Sequence, residues 1–143
     1  SIRPNISITT DLIVGFPNET EEDFNNTLSF LRKVKFSKIH VFPYSRRKGT
    51  KADLMDNQID EQTKHKRVKE VLKLSEELEI EYMNKFINTD VLVLIEKFEN
   101  GIISGHTENY IPVKANGVES DINELLMIHI DKMEYPYLIG NKL

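Results

Sequence analysis

Along residues 6–14 apolar and polar positions alternate: Ile8, Leu12 and Val14 fall on one side and Thr9, Asp11 and Ile13 on the other, with Thr10 the exception. Period two predicts a strand. The turn Gly15-Phe16-Pro17-Asn18 stops it, and Thr20 with Asp23 three residues on makes a capping-box signature for a helix. Phe24, Leu28, Leu31 and Val34 then recur at helical spacing, and residues 38–42 return to a strand. Strand, helix and strand in that order form a βαβ unit, whose strands run parallel.

Residues 43–60 are a polar, charged connection, after which Asp60 caps a long helix expected to reach about Phe86. Val68, Val71, Leu72, Leu78, Tyr82 and Phe86 predict its apolar stripe. Beyond Asn88 the pattern breaks into five short strands, at 91–98, 102–106, 110–115, 125–131 and 135–139, which suggests a small barrel. Asn100-Gly101 is the hairpin signal that pairs the first two. Pro112 interrupts the third, so it should face a sheet edge or a bulge. The switch of period sets a boundary near Ile87, giving segments 1–86 and 87–143.

Composition narrows the class. A chain of 143 residues with 39% hydrophobic content can bury an ordinary core, and no apolar run is long enough for a membrane span or a leader, so a cytoplasmic chain is expected. With no cysteine, these residues offer neither a disulfide nor thiolate ligands for a metal or cluster. The net charge of −4 is uneven. Arg46, Arg47, Lys48 and Lys51 cluster within residues 45–51 with no acid among them, whereas residues 88–143 carry nine acids against four lysines. A broad phosphate-binding surface is therefore not expected in the last third.

The runs DLIVGFPNETEEDF, HVFPYSRRKGT and GHTENYIPVKA, in this order and separation, resemble the radical S-adenosylmethionine methylthiotransferase family over nearly the whole chain. The resemblance implies a fold: an α/β half-barrel made of the last strands and helices of a partial (β/α) barrel, followed by an all-β, OB-like TRAM barrel. His40 to Ser45 with Arg47 look most like the branch acting on threonylcarbamoyladenosine in tRNA, beside the anticodon; the ribosomal-protein branch usually has an acid where Arg47 stands. Asn18 replaces the family's usual Gly, and Ser45-Arg46 its usual Ser-Pro. The family's N-terminal parts carry a Cys-x3-Cys-x2-Cys loop and three further cysteines for two 4Fe–4S clusters. None of these is in this sequence, which thus reads as a C-terminal fragment, inert alone and completed by N-terminal domains of the same protein.

No catalytic or metal-ligating residue is expected in the chain itself. On the first strand a face bearing Thr9, Asp11, Ile13 and Gly15 suits a polar barrel lumen, in which Asp11 can accept hydrogen bonds from a ribose or amine and Ile13 can pack on adenine. With Phe42 and Tyr44 at the second strand end, Asp11, Ile13 and Gly15 are the S-adenosylmethionine-binding candidates that the family implies. The Gly15 to Asn18 turn places backbone N–H groups near a helix N-terminus, and an acid at Glu19 complements the helix dipole. Arg46 and Arg47 are candidates for RNA phosphate, and His106, Asn109 and Tyr110 for unpaired bases of tRNA. His40, His65 and His129 lack metal-ligand spacing. Two other classes remain open from the residues alone: an autonomous RNA-binding module, and a protein-contact domain. Within the enzyme reading, isopentenyladenosine and a ribosomal protein are the alternative substrates.

Overall fold

The computed structural model describes residues 3–143. They form two compact units, Ile8–Glu79 and residues 3–7 with Ile80–Leu143, whose division falls inside a helix.

In the first unit β1 (Thr9–Val14) and β2 (Lys38–Pro43) pair in parallel, with Asp11 opposite His40 and Ile13 opposite Phe42. β1 starts later than the alternation suggests, because Ile6 N–H donates to Arg3 O in a preceding turn. Between the strands lies α1 (Glu21–Val34), whose capping box is complete: Thr20 accepts from Asp23 N–H and Asp23 from Thr20 N–H. Lys35 ends it in the left-handed conformation, donating to Leu31 O. After a 3-10 turn at Ala52–Leu54 comes α2 (Glu61–Asn84), opened by Asp60, which accepts from Thr63 N–H at 2.8 Å. Val14, Phe24, Leu31, Phe36, Ile39, Val71, Leu74 and Leu78 make the core.

The stripe of α2 differs from expectation in phase. Leu72 is 52% exposed, and Leu74 is buried in its place. Positions 71, 74, 75 and 78 face β2, where Ser75 Oγ accepts from Ile39 N–H. Carried back toward the start of the helix, the same phase buries Lys64 and Arg67.

The second unit is a closed barrel ordered β3-β4-β5-β7-β6, from β3 (Asp90–Glu99), β4 (Ile102–Thr107), β5 (Pro112–Asn116), β6 (Leu125–Glu134) and β7 (Tyr137–Lys142). Asn100 and Gly101 both have positive φ, as a type I′ hairpin turn requires. Among the described barrel strands only β5 and β7 pair in parallel, and they close the barrel. β5 begins at Pro112 rather than at Tyr110, whose φ of +64° is left-handed. Pro112 therefore occupies a strand's first position, where its missing N–H disturbs the ladder least. β7 likewise begins after a Tyr135-Pro136 turn.

The two long strands each carry a bulge, at Glu96 and at Asp131. Opposite them stand Gly105 and Gly140, where a Cβ would lie 1.8 Å from Leu94 O and 2.0 Å from His129 O. Bulges bend a strand, and the small residue lets the neighbouring backbone come close, so a short sheet can curl shut. Val93, Ile95, Ile103, Val113, Ile128, Ile130 and Leu138 fill the interior, joined by Tyr82, Met83 and Phe86 from the end of α2.

Candidate functional site

The strand pleat sorts the first unit's sheet into two unlike faces. Leu12, Val14, Ile39 and Val41 turn to the core, while Asp11, His40, Ile13 and Phe42 share the other side and stay exposed, Ile13 at 57% and Phe42 at 53%. Parallel strands are ordinarily covered on both faces. Here a carboxylate and an imidazole sit one step along the strands from an aliphatic and an aromatic side chain, a mixed surface suited to a ligand with both polar and flat apolar parts.

The two strand tips meet beside this face. Tyr44 N–H donates to Val14 O at 2.8 Å, and the Tyr44 ring meets Phe16 edge to face at 5.2 Å. Its hydroxyl is enclosed without a hydrogen-bond partner among the described residues, and Lys64 Nζ lies 5.5 Å from the ring centre. An enclosed phenol with open hydrogen-bonding capacity is costly unless something else satisfies it.

The turn after β1 is built differently from the expectation that it presents free N–H groups. Gly15 N–H donates to Glu19 Oε1 at 2.9 Å, Asn18 N–H to Asn57 O, Glu19 N–H to Phe16 O and Thr20 N–H to Asp23. Those amides are spent inside the protein, so the turn is no anion cradle. Asn18 adopts φ +69°, the left-handed conformation that Asn tolerates next best after Gly. Glu19 does more than complement a helix dipole: its Oε1 also accepts from Arg67 at 2.6 Å, in a pair whose side chains are 5% and 14% exposed. The sequence signal for this was the phase of α2, on which Lys64 and Arg67 continue the buried stripe.

The basic loop is less uniformly cationic than its sequence. Arg46 Nε donates to Asp53 Oδ1 at 2.8 Å, and its terminal nitrogen to Asp53 O at 2.8 Å. Arg47 and Lys48 are exposed.

In the barrel unit the three candidate residues serve different ends. Asn109 Nδ2 donates to Tyr82 Oη at 2.8 Å, and Tyr82 Oη to Asn5 O at 2.8 Å, which ties the β4–β5 turn to residue 5 and the end of α2. Burial pushes the Tyr82 phenol up, with the Asn109 hydrogen bond opposing it. His106 Nδ1 lies 2.9 Å from Glu96. Tyr110 is 84% exposed, its ring centre 6.0 Å from that of His106. Beside them, Leu92 pairs with Met127 and Leu94 with Leu125, all four exposed on the barrel's outer face. Among the described residues no group of three or more His, Cys, Asp or Glu side chains could hold a metal ion, and no helix is long and apolar enough to cross a membrane.

No family model matches the chain. Individual relatives do. Over 96% of its length it is similar to a threonylcarbamoyladenosine tRNA methylthiotransferase of Bacillus subtilis, 42% identical over 143 residues, which cover 32% of that protein. A tRNA-2-methylthio-N(6)-dimethylallyladenosine synthase of Caldicellulosiruptor saccharolyticus is 44% identical over 139 residues, covering 96% of this chain and 30% of the relative. A ribosomal protein uS12 methylthiotransferase of Clostridium perfringens is 39% identical over 145 residues, covering 96% and 32%. The likeness runs over almost the whole chain and is to methylthiotransferases, as the three sequence motifs anticipate. The chain spans about a third of the length of the curated relatives it matches.

Proposed function

We propose that this chain is the C-terminal part of a cytoplasmic radical S-adenosylmethionine methylthiotransferase that modifies threonylcarbamoyladenosine near the anticodon of tRNA. In this reading residues 1–86 supply the last strands of the (β/α) barrel and residues 87–143 a TRAM-like, OB-like barrel. The observation that carries it is the exposed mixed face of a parallel β1–β2 pair, which further strands of the same protein would turn into a lumen. Asp11, Ile13 and Phe42 fit an adenosine moiety, a carboxylate for ribose hydroxyls and apolar side chains for the purine, with the Tyr44 ring packed on Phe16 at the strand end beside them. Gly15 is buried against Lys64 with its N–H given to Glu19, so it supports the strand end from within rather than touching the ligand. When bound, S-adenosylmethionine supplies the methyl group and the reducible sulfonium. The two 4Fe–4S clusters do not fit this segment, because it has no cysteine, and their ligands belong to the N-terminal domains.

RNA is engaged by Arg47 of the basic loop and by Tyr110 with His106 on the barrel, while Arg46 and Asn109 shape those surfaces from within. The test is nucleoside mass spectrometry of tRNA from cells with and without the intact gene. Loss of the methylthio group from threonylcarbamoyladenosine supports the reading. Its loss from dimethylallyladenosine, or from ribosomal protein uS12, moves the enzyme to another branch, and no change in any of them leaves the RNA-binding module as the better account.

A further inference from the structure

We propose that Arg67 is a positioning residue for the strand-end face, acting through Glu19 on the backbone of Gly15. Its setting in the ligand site rests on the S-adenosylmethionine reading above; its hold on the turn does not. A single carboxylate oxygen, Glu19 Oε1, receives both the Arg67 guanidinium at 2.6 Å and the Gly15 amide at 2.9 Å. Arg67 also donates to Glu19 O at 3.1 Å and to Glu21 at 3.1 Å, and its guanidinium lies 5.4 Å from the centre of the Phe24 ring. Forty-eight positions therefore separate the first residue after Gly15's turn from the cation that locks it.

Geometry sets the direction of control. Arg67 sits on a helix packed by Val71, Leu74 and Leu78, and a planar guanidinium with several fixed donors defines where its carboxylate must lie. Glu19 belongs to a turn with no regular structure of its own, so the helix holds the turn. Gly15 has little room to move otherwise: it is buried at φ +74°, and a Cβ there would meet Lys64 Cγ at 2.4 Å. Lys64 and Arg67, one helical turn apart, thus bracket Gly15 from the same helix face. Gly15 follows Val14, whose carbonyl receives the Tyr44 amide, and it lies two residues from Ile13. A shift of the Gly15 peptide plane moves Ile13 against Phe42 and changes the spacing of the two apolar walls.

A purely structural ion pair would lower stability when broken and leave ligand affinity in the folded protein alone; a positioning pair changes both the Gly15 amide and the affinity. The experiment uses the intact protein that carries this chain. Deuterium exchange at the Gly15 amide is read by mass spectrometry, and S-adenosylmethionine affinity by equilibrium dialysis, for the wild type, Arg67→Lys and Glu19→Gln. Lys keeps the charge but not the fork, and Gln keeps the shape but not the charge. Each is expected to speed Gly15 exchange about ten- to a hundredfold, the weight of one hydrogen bond to a charged acceptor, and to weaken S-adenosylmethionine in step, while exchange at Ile103 in the barrel is unchanged. Should a single variant fail to fold, the double change Glu19→Gln with Arg67→Met removes both charges together and is read in the same way. Unchanged Gly15 exchange in a folded variant overturns the proposal, and so does fast exchange with undiminished affinity. If the wild type does not bind S-adenosylmethionine at all, the ligand reading fails separately, and Gly15 exchange alone decides whether Arg67 holds the turn.

Discussion

Arg46 and Asp53 close the basic loop on itself: the guanidinium reaches both the carboxylate and the backbone carbonyl of Asp53, each at 2.8 Å. A cation already matched by an acid has less to offer a phosphate than its unmatched neighbour. The two adjacent arginines should therefore behave differently.

On the RNA reading, Arg47→Ala lowers affinity for an anticodon stem-loop and reduces the slope of log affinity against log salt by about 0.7, the share of one phosphate contact on a single strand. Arg46→Ala changes the slope less, and it loosens the loop by freeing Asp53. Titrations at several salt concentrations separate the two. Equal slopes for both variants and the wild type would remove the loop from the RNA interface.

Tyr110 presents an aromatic face from a left-handed backbone. Tyr110→Ala should cost about 1–3 kcal/mol of RNA binding through lost stacking, with the salt slope unchanged. Tyr110→Gly should lose the same affinity yet give a barrel about 1 kcal/mol more stable than the Ala variant, because Gly has no Cβ to strain at positive φ. Urea denaturation of the two variants checks the second half.

Asp121 is buried beneath Val118 N–H and 2.9 Å from Lys142 Nζ. The Val118 amide first, then Lys142, hold its carboxyl below the ordinary aspartate value. A carboxyl lowered by folding stabilises the barrel at pH values above its unfolded value, about 3.9, and that contribution is lost as the pH falls through the lower folded value. Asp121→Asn should therefore be less stable than the wild type at pH 7, with the gap narrowing as the pH falls below the ordinary aspartate value and through the lower folded one. Urea midpoints measured across that range decide it; a constant gap would mean that the charge of Asp121 contributes nothing.

Gly105 and Gly140 permit closure of the barrel by smallness, since in both cases the obstacle to a Cβ is a backbone carbonyl that cannot swing aside. Gly105→Ala and Gly140→Ala should each cost about 1–3 kcal/mol or more. Gly49→Ala, with nothing within 4 Å of its Cβ but a φ of +88°, carries only the smaller conformational penalty. Denaturant unfolding of the three variants tests the ranking.

Features whose partners lie within a few residues were legible in the sequence. The Thr20–Asp23 capping box, the paired positive φ angles at Asn100 and Gly101, the Asp60 cap and the change from helical to strand period all depend on bonds that close locally, so residue type and spacing determine them. The likeness to methylthiotransferases was legible for a related reason, as it rests on three separate motifs that are each a short contiguous run. Only the tertiary structure decided which face of α2 is buried, because Leu72 and Leu74 are equally apolar and the choice belongs to the sheet beneath them. It also decided the charges. Glu19 reads as a helix-dipole residue until Arg67 arrives from 48 positions away, Arg46 reads as free until the loop folds Asp53 back onto it, and Asn109 reads as a base-binding amide until Tyr82 and Asn5 engage it. A side chain's chemistry is local, but its availability depends on which distant groups folding brings within hydrogen-bond reach.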